Sequence, residues 1–142
     1  MKTIITNSEY ETKDLAKKIA EKVGDKAVII LSGTLGAGKT KFTEGFLSYF
    51  GLEKEISSPT FTIVNEYKNK KVSIYHFDVY RLSDIDEFYA IGGEEYFSKG
   101  ICIIEWGEII EEVLPKDSIR ISIEKDEENF DKRIIKIKGI AV

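Results

Sequence analysis

The sequence is poor in several residues, and each shortage excludes something. There is one cysteine, Cys102, and a single thiol closes no internal disulfide. It sits in Ile101-Cys102-Ile103-Ile104 and reads as a small core residue, not a reactive thiol. No apolar run approaches the roughly 18 residues that a membrane span needs, and no secretory leader pattern opens the chain. A soluble, cytoplasmic protein without a membrane contact is expected. Arginine is confined to Arg81, Arg120 and Arg133, which are scattered. No arginine-rich lid of the kind that covers a transferred phosphoryl group is visible. Histidine occurs once, at His76, without a nucleophile pattern beside it, and reads as a strand residue that satisfies a local hydrogen bond. A basic stripe is also missing. Lys and Arg total 21 against 25 Asp and Glu, a net charge of −4, so tight nucleic-acid binding by this chain alone is not expected.

What is present describes a globular protein. The 142 residues are 42% hydrophobic and 32% charged, values of a folded chain. By size, residues 1–142 make one domain. Neither an internal repeat nor a low-complexity linker interrupts it.

The most informative stretch is Gly33-Thr34-Leu35-Gly36-Ala37-Gly38-Lys39-Thr40, which fits the phosphate-binding pattern G-x-x-x-x-G-K-[ST] without a mismatch. Its context fits as well. Ala27-Val28-Ile29-Ile30-Leu31 reads as a buried strand before it, and Phe42, Phe46 and Phe50 mark a helix after it. Such a loop turns its backbone N–H groups towards a phosphate, and the free N–H groups of the new helix add positive partial charge. Glycines at 33, 36 and 38 allow close approach because no Cβ intervenes. Lys39 would reach the β- and γ-phosphates and the Thr40 hydroxyl would ligate Mg²⁺.

Around this loop the chain divides into short elements. Thr3–Thr6 is a strand. Ser8-Glu9-Tyr10-Glu11 matches a capping box, so a helix starts at Glu9, runs through Leu15, Ala16, Ile19, Ala20 and Val23, and stops at Gly24. The helix after the glycine loop ends near Phe50, capped by Gly51. Pro59 shapes the loop Ile56–Phe61. Phe61–Tyr67 and Val72–Asp78 form an antiparallel hairpin, so the sheet is not purely parallel. A helix starts at Ser83-Asp84-Ile85-Asp86 and breaks at Gly92-Gly93, followed by a short turn through Tyr96 and Phe97. Ile101–Glu105 is a buried strand and Glu108–Leu114 a short helix ended by Pro115. Ile119–Ile123 and Arg133–Ile137 form a second hairpin across the acidic loop Glu124–Asp131.

A phosphate loop needs an acid near its cation, at the end of a neighbouring strand. Two positions qualify: Asp78 ends one strand and Glu105 another. One acid would hold Mg²⁺, directly or through water, and the other would orient an attacking water. Thr60 offers a hydroxyl that could sense the γ-phosphate. Trp106 follows Glu105, and its ring could pack on a base, a partner or the core.

Taken together, Leu31 to Thr40, Ser58-Pro59-Thr60-Phe61, His76-Phe77-Asp78-Val79-Tyr80-Arg81-Leu82 and Ile104-Glu105-Trp106 closely resemble the TsaE (YjeE) family, the small bacterial ATPases of tRNA threonylcarbamoyladenosine synthesis. The resemblance covers nearly the whole chain. It implies an α/β, P-loop NTPase-like three-layer sandwich with a mixed, mainly parallel sheet and antiparallel hairpins. ATP or ADP and Mg²⁺ are the implied ligands. Leu35, Gly36, Ala37, Gly38, Lys39 and Thr40 would hold the phosphates, with Thr40 and Glu105 on Mg²⁺. Asp78, Thr60 and Trp106 fall on positions tied to activity in the family. Glu9, Thr12 and a hairpin residue, Lys132 or Arg133, would lie near the base. The implied partners are the TsaD and TsaB proteins. TsaD transfers the threonylcarbamoyl group, so tRNA would be met only through the complex. One position departs: Lys41 follows Thr40 where many members carry a second hydroxyl.

Two other classes use the same loop. A small-molecule kinase would need an acceptor pocket and a lid. A nucleotide-gated binding module would bind ATP without turnover. A regulatory GTPase fits poorly, because Asn69-Lys70-Lys71-Val72 lacks the aspartate of N-K-x-D that reads guanine.

Overall fold

The computed structural model describes residues 1–34, 36–55 and 63–142. Leu35 and the loop containing Pro59 and Thr60, together with the first two residues of the strand expected from Phe61, lie outside the described residues. The elements run β1 (Lys2–Thr6), α1 (Glu9–Val23), β2 (Ala27–Ser32), α2 (Lys39–Tyr49), β3 (Val64–Lys68), β4 (Ser73–Asp78), α3 (Ile85–Ala90), β5 (Ile101–Glu105), β6 (Ile119–Lys125) and β7 (Arg133–Lys138). Short 3₁₀ turns occupy Glu53–Glu55, Val79–Arg81, Gly93–Ser98 and Gly107–Val113.

The strands form one seven-stranded sheet in the order β1-β7-β6-β2-β5-β4-β3. β6, β2, β5 and β4 are mutually parallel, and the glycine-loop strand β2 lies in their middle. Antiparallel pairs close both sides: β3 on β4, and β7 on β6 with β1 beyond it. The expected mixed sheet with a parallel centre and antiparallel hairpins is therefore the observed one.

The burial pattern explains the order. A strand with helices on both faces must be apolar on both. In β2, Ile29 and Leu31 join the core under α1 and α2, while Val28 and Ile30 join the opposite core. β5 divides in the same way, with Ile101 and Ile103 on one side and Cys102 and Ile104 on the other. β6 instead alternates: Ile119, Ile121 and Ile123 are buried, whereas Arg120 and Glu124 are exposed. The second layer, α3 with the 3₁₀ turns, packs on the outer faces of β2, β5 and β4. The sandwich is three-layered there and two-layered at β6 and β7.

The caps show where local pattern and tertiary context agree. Ser8 caps α1 by accepting the Glu11 N–H at 3.1 Å, and Gly24 closes it with φ 75°. For α3 the cap sits one residue later than expected. Asp84 accepts the Glu87 N–H and Glu87 in turn accepts the Ser83 N–H, each at 3.1 Å, so the box is Asp84 to Glu87. α1 and α2 touch closely at Gly45, where a Cβ would stand 2.5 Å from the Lys13 carbonyl oxygen. The expected helix at Glu108–Leu114 is a 3₁₀ turn with a kink at Ile110.

Candidate active site

The site begins with the register of β2 and β5. Leu31 pairs with Glu105, so Glu105 ends its strand at the level where the chain leaves β2 for the glycine loop. The loop turns back through Ala37 N–H to the Thr34 carbonyl at 3.0 Å, and α2 opens at Lys39. Gly38 precedes α2 in a left-handed conformation, φ 110°, with no side-chain cap on the helix. The first N–H groups of α2 are thereby left for an anion, and the helix dipole adds positive potential there.

Lys39 is 7% exposed and reaches two partners. Its Nζ is 3.5 Å from Glu105 Oε1 and 4.7 Å from the centre of the Trp106 ring. The other carboxylate oxygen, Oε2, accepts from His76 Nε2 at 2.5 Å. Burial pushes the Glu105 carboxyl up. The His76 hydrogen bond, His76 charge and Lys39 charge outweigh it and hold the group below its ordinary value. The result is a partly buried carboxylate kept ionised between two nitrogen donors.

Trp106 takes φ 63° and ψ 36°, the only positive φ outside glycine among the described residues. This left-handed step turns the chain sharply out of β5 and lays the indole over Lys39 and against Tyr80, ring centres 5.0 Å apart. Such a conformation costs a non-glycine residue of order 1–3 kcal/mol and persists only where the surroundings impose it. Asp78, the other candidate acid, is the direct register partner of Glu105. Its carboxylate accepts the Tyr80 N–H at 3.0 Å and caps the turn Val79–Arg81.

The hairpin β6–β7 flanks the loop. A Cβ on Gly33, where φ is 152°, would stand 2.5 Å from the Ile123 carbonyl oxygen. The glycine is thus demanded by β6 as much as by a ligand. Arg133 Nε donates to the Ala37 carbonyl at 2.8 Å, and Lys125 Nζ lies beside Gly36. Of the two hairpin residues considered from sequence, Arg133 braces the loop, whereas Lys132 pairs with Asp126 at 3.9 Å.

The other expected site residues are placed as follows. Thr40 is exposed in the first turn of α2. Glu9 is exposed and lies 4.0 Å from Lys41, next to that turn. Thr12 is buried, its hydroxyl 2.8 Å from that of Thr6. Thr60 and Leu35 lie outside the described residues. Sequence reasoning did not foresee the bond from His76 to Glu105, nor the contact of Lys125 with the loop. The polar His76 in an otherwise apolar buried strand was the one signal for the former.

Glycines that leave the loop backbone open, free helix N–H groups, one lysine, one hydroxyl and one ionised carboxylate are the groups that bind a nucleotide phosphate with a hard cation. Among the described residues no group of three or more His, Cys, Asp or Glu forms a metal cage. Mg²⁺ is ordinarily held by one or two protein oxygens plus phosphate, so the donor set fits it.

Residues 6–135 match the family model described as threonylcarbamoyl adenosine biosynthesis protein TsaE. The tRNA threonylcarbamoyladenosine biosynthesis protein TsaE of Bacillus subtilis is 44% identical over 121 residues, covering 84% of this chain and 75% of its own. That of Rickettsia bellii is 40% identical over 134 residues, covering 94% and 92%. In three dimensions the chain is similar to the crystal structure of Bacillus subtilis YdiB, with a TM-score of 0.74 at 35% identity, over 99% of this chain and 86% of that one.

Proposed function

Because the chain belongs to the TsaE family of tRNA threonylcarbamoyladenosine biosynthesis proteins, we propose that it is the Mg²⁺-dependent ATPase subunit of that modification, acting on the TsaD–TsaB complex. The observation that carries this reading is the meeting of Lys39 and Glu105 beside the glycine loop, between parallel strands. In this reading tRNA is reached through the partners, consistent with the net charge of −4.

Bound ATP with Mg²⁺ would supply the reactive phosphoanhydride and a cation that neutralises its charge. The protein's part is to position and stabilise charge. The loop N–H groups and the start of α2 hold the phosphates. Thr40 and Glu105 would hold the cation. Lys39 would exchange its contact with Glu105 for the β- and γ-phosphates and stabilise the charge that develops there. Asp78 and Thr60 are the candidates for orienting the attacking water. The Trp106 ring lies over the Lys39 ammonium.

The test is ATP turnover by the purified chain, alone and with TsaB and TsaD. Slow turnover alone and a clear rise with the partners are expected. Lys39→Ala should lower both rates by about 100-fold or more, the usual cost of removing a charge-stabilising donor. Near-normal turnover in that variant would overturn the reading. A wild-type chain that neither responds to the partners nor binds them would leave the nucleotide site standing and refute its assignment to that complex.

A further inference from the structure

His76 sits in the middle of β4, paired with Asn65 of β3 on one side and Ile103 of β5 on the other. Its side chain is 5% exposed. Ile74, Phe77 and Ile103 around it are fully buried. Packing alone would be served better there by an apolar side chain, since burying a polar ring costs free energy unless its atoms are bonded. Only one of its nitrogens is. Nδ1 is buried without a partner among the described residues, so the ring retains an unsatisfied atom to make the single bond from Nε2 to Glu105 Oε2. Native proteins tolerate few such atoms, and each calls for a reason.

The two oxygens of Glu105 are divided between two partners. Oε2 belongs to His76 and Oε1 faces Lys39. His76 comes from a strand paired on both sides, so its ring is fixed, whereas Lys39 ends a long flexible stem. Without His76, both oxygens would be free to turn onto the lysine ammonium, and the carboxylate would no longer present a defined oxygen to a cation. Facing a carboxylate, Nε2 is the nitrogen that carries the proton, so the arrangement does not depend on a change of charge.

We propose that His76 is a positioning residue for the cation site: it holds Glu105 by Oε2 so that Oε1 alone is offered to Mg²⁺ at the mouth of the glycine loop. The proposal rests on the nucleotide reading above. Bonds of this kind to a metal-ligating group are worth about 10- to 100-fold in metal affinity.

The chain's one tryptophan, Trp106, touches Lys39, so its fluorescence reports on the site without turnover. The experiment titrates MgCl₂ into the ADP complex of the wild type, His76→Leu and His76→Gln, and measures ADP binding in EDTA alongside. Leu fills the space without a donor. Gln restores an N–H donor of similar reach. We expect His76→Leu to weaken Mg²⁺ binding by about 10-fold or more, with ADP binding in EDTA within about twofold of wild type, and His76→Gln to recover most of the loss. Equal Mg²⁺ affinity in all three proteins would overturn the proposal. So would equal losses in Leu and Gln variants, which would mark His76 as a packing residue. Failure of the unsubstituted chain to bind ADP at all would instead overturn the nucleotide reading, and this proposal with it.

Discussion

Asp78 and Glu105 face each other in register at the ends of adjacent parallel strands, yet their carboxylates serve different groups. Glu105 spans His76 and Lys39, while Asp78 accepts a backbone N–H from Tyr80. A structural and a chemical role for Asp78 can be separated. In Asp78→Asn the amide oxygen still caps the turn, but the charge is gone. We expect its thermal midpoint to match wild type while ATP turnover falls at least about 100-fold, the lower end of the range for losing a group that orients and deprotonates a reactant. Asp78→Ala should add a stability loss of about 1 kcal/mol, the usual worth of a cap. Unchanged turnover in Asp78→Asn would reduce Asp78 to a cap.

The ionised state of Glu105 ties stability to pH. Its carboxyl is held below the ordinary 4.5 in the folded protein. A group lowered on folding stabilises the native state fully above its unfolded value, and that contribution fades as pH falls through the folded value. The stability difference between wild type and Glu105→Gln should therefore be constant near neutrality and shrink below about pH 4.5, as guanidinium midpoints at several pH values will record. A difference that grew on acidification would mean that burial, not His76 and Lys39, dominates the carboxyl.

Gly45 sets how closely α1 and α2 can pack. Alanine at an exposed helical site would gain up to about 1 kcal/mol over glycine. Here its Cβ would lie 2.5 Å from the Lys13 carbonyl oxygen and 2.6 Å from Lys13 Cα, both backbone atoms that cannot rotate away. The clash should win, and Gly45→Ala should destabilise by about 1–3 kcal/mol in denaturant unfolding.

Cys102 should be inert in the native protein. Burial pushes its thiol up to about 12, and its Sγ faces the Tyr96 carbonyl at 3.4 Å. Only the thiolate reacts readily. Iodoacetamide at pH 8 should label the chain in denaturant and leave the folded chain unlabelled over the same period. Fast labelling of the folded chain would show that this layer opens easily.

Much of the fold was legible because its signals are local. The Ser8 cap and Gly24 stop bracket α1 as expected, since both act within one helical turn. The buried runs in β2 and β5 declared strands covered on both faces. Local signals also misplaced details. Ser83 resembled a cap, but Asp84 takes that role because Glu87 can return a bond to the Ser83 N–H. The 3₁₀ segment Gly107–Val113 opens directly on the left-handed Trp106, a turn that no helix propensity announces.

The glycine loop, its lysine and the hydroxyl after it are contiguous, so the sequence alone determined that a phosphate-binding turn leads into a helix. The strand patterns alone made Asp78 and Glu105 equal candidates for the acid beside the loop. Tertiary structure decided between them, because β5, not β4, is hydrogen-bonded beside β2, and that register puts Glu105 at the loop. The neighbouring pairing of β4 with β5 brought His76 to Glu105 across 29 positions of chain. Arg133 reached the Ala37 carbonyl across 96. Bonds of that span depend on strand order, and strand order is set by the joint burial of many side chains on both faces of the sheet, which no short stretch of sequence contains.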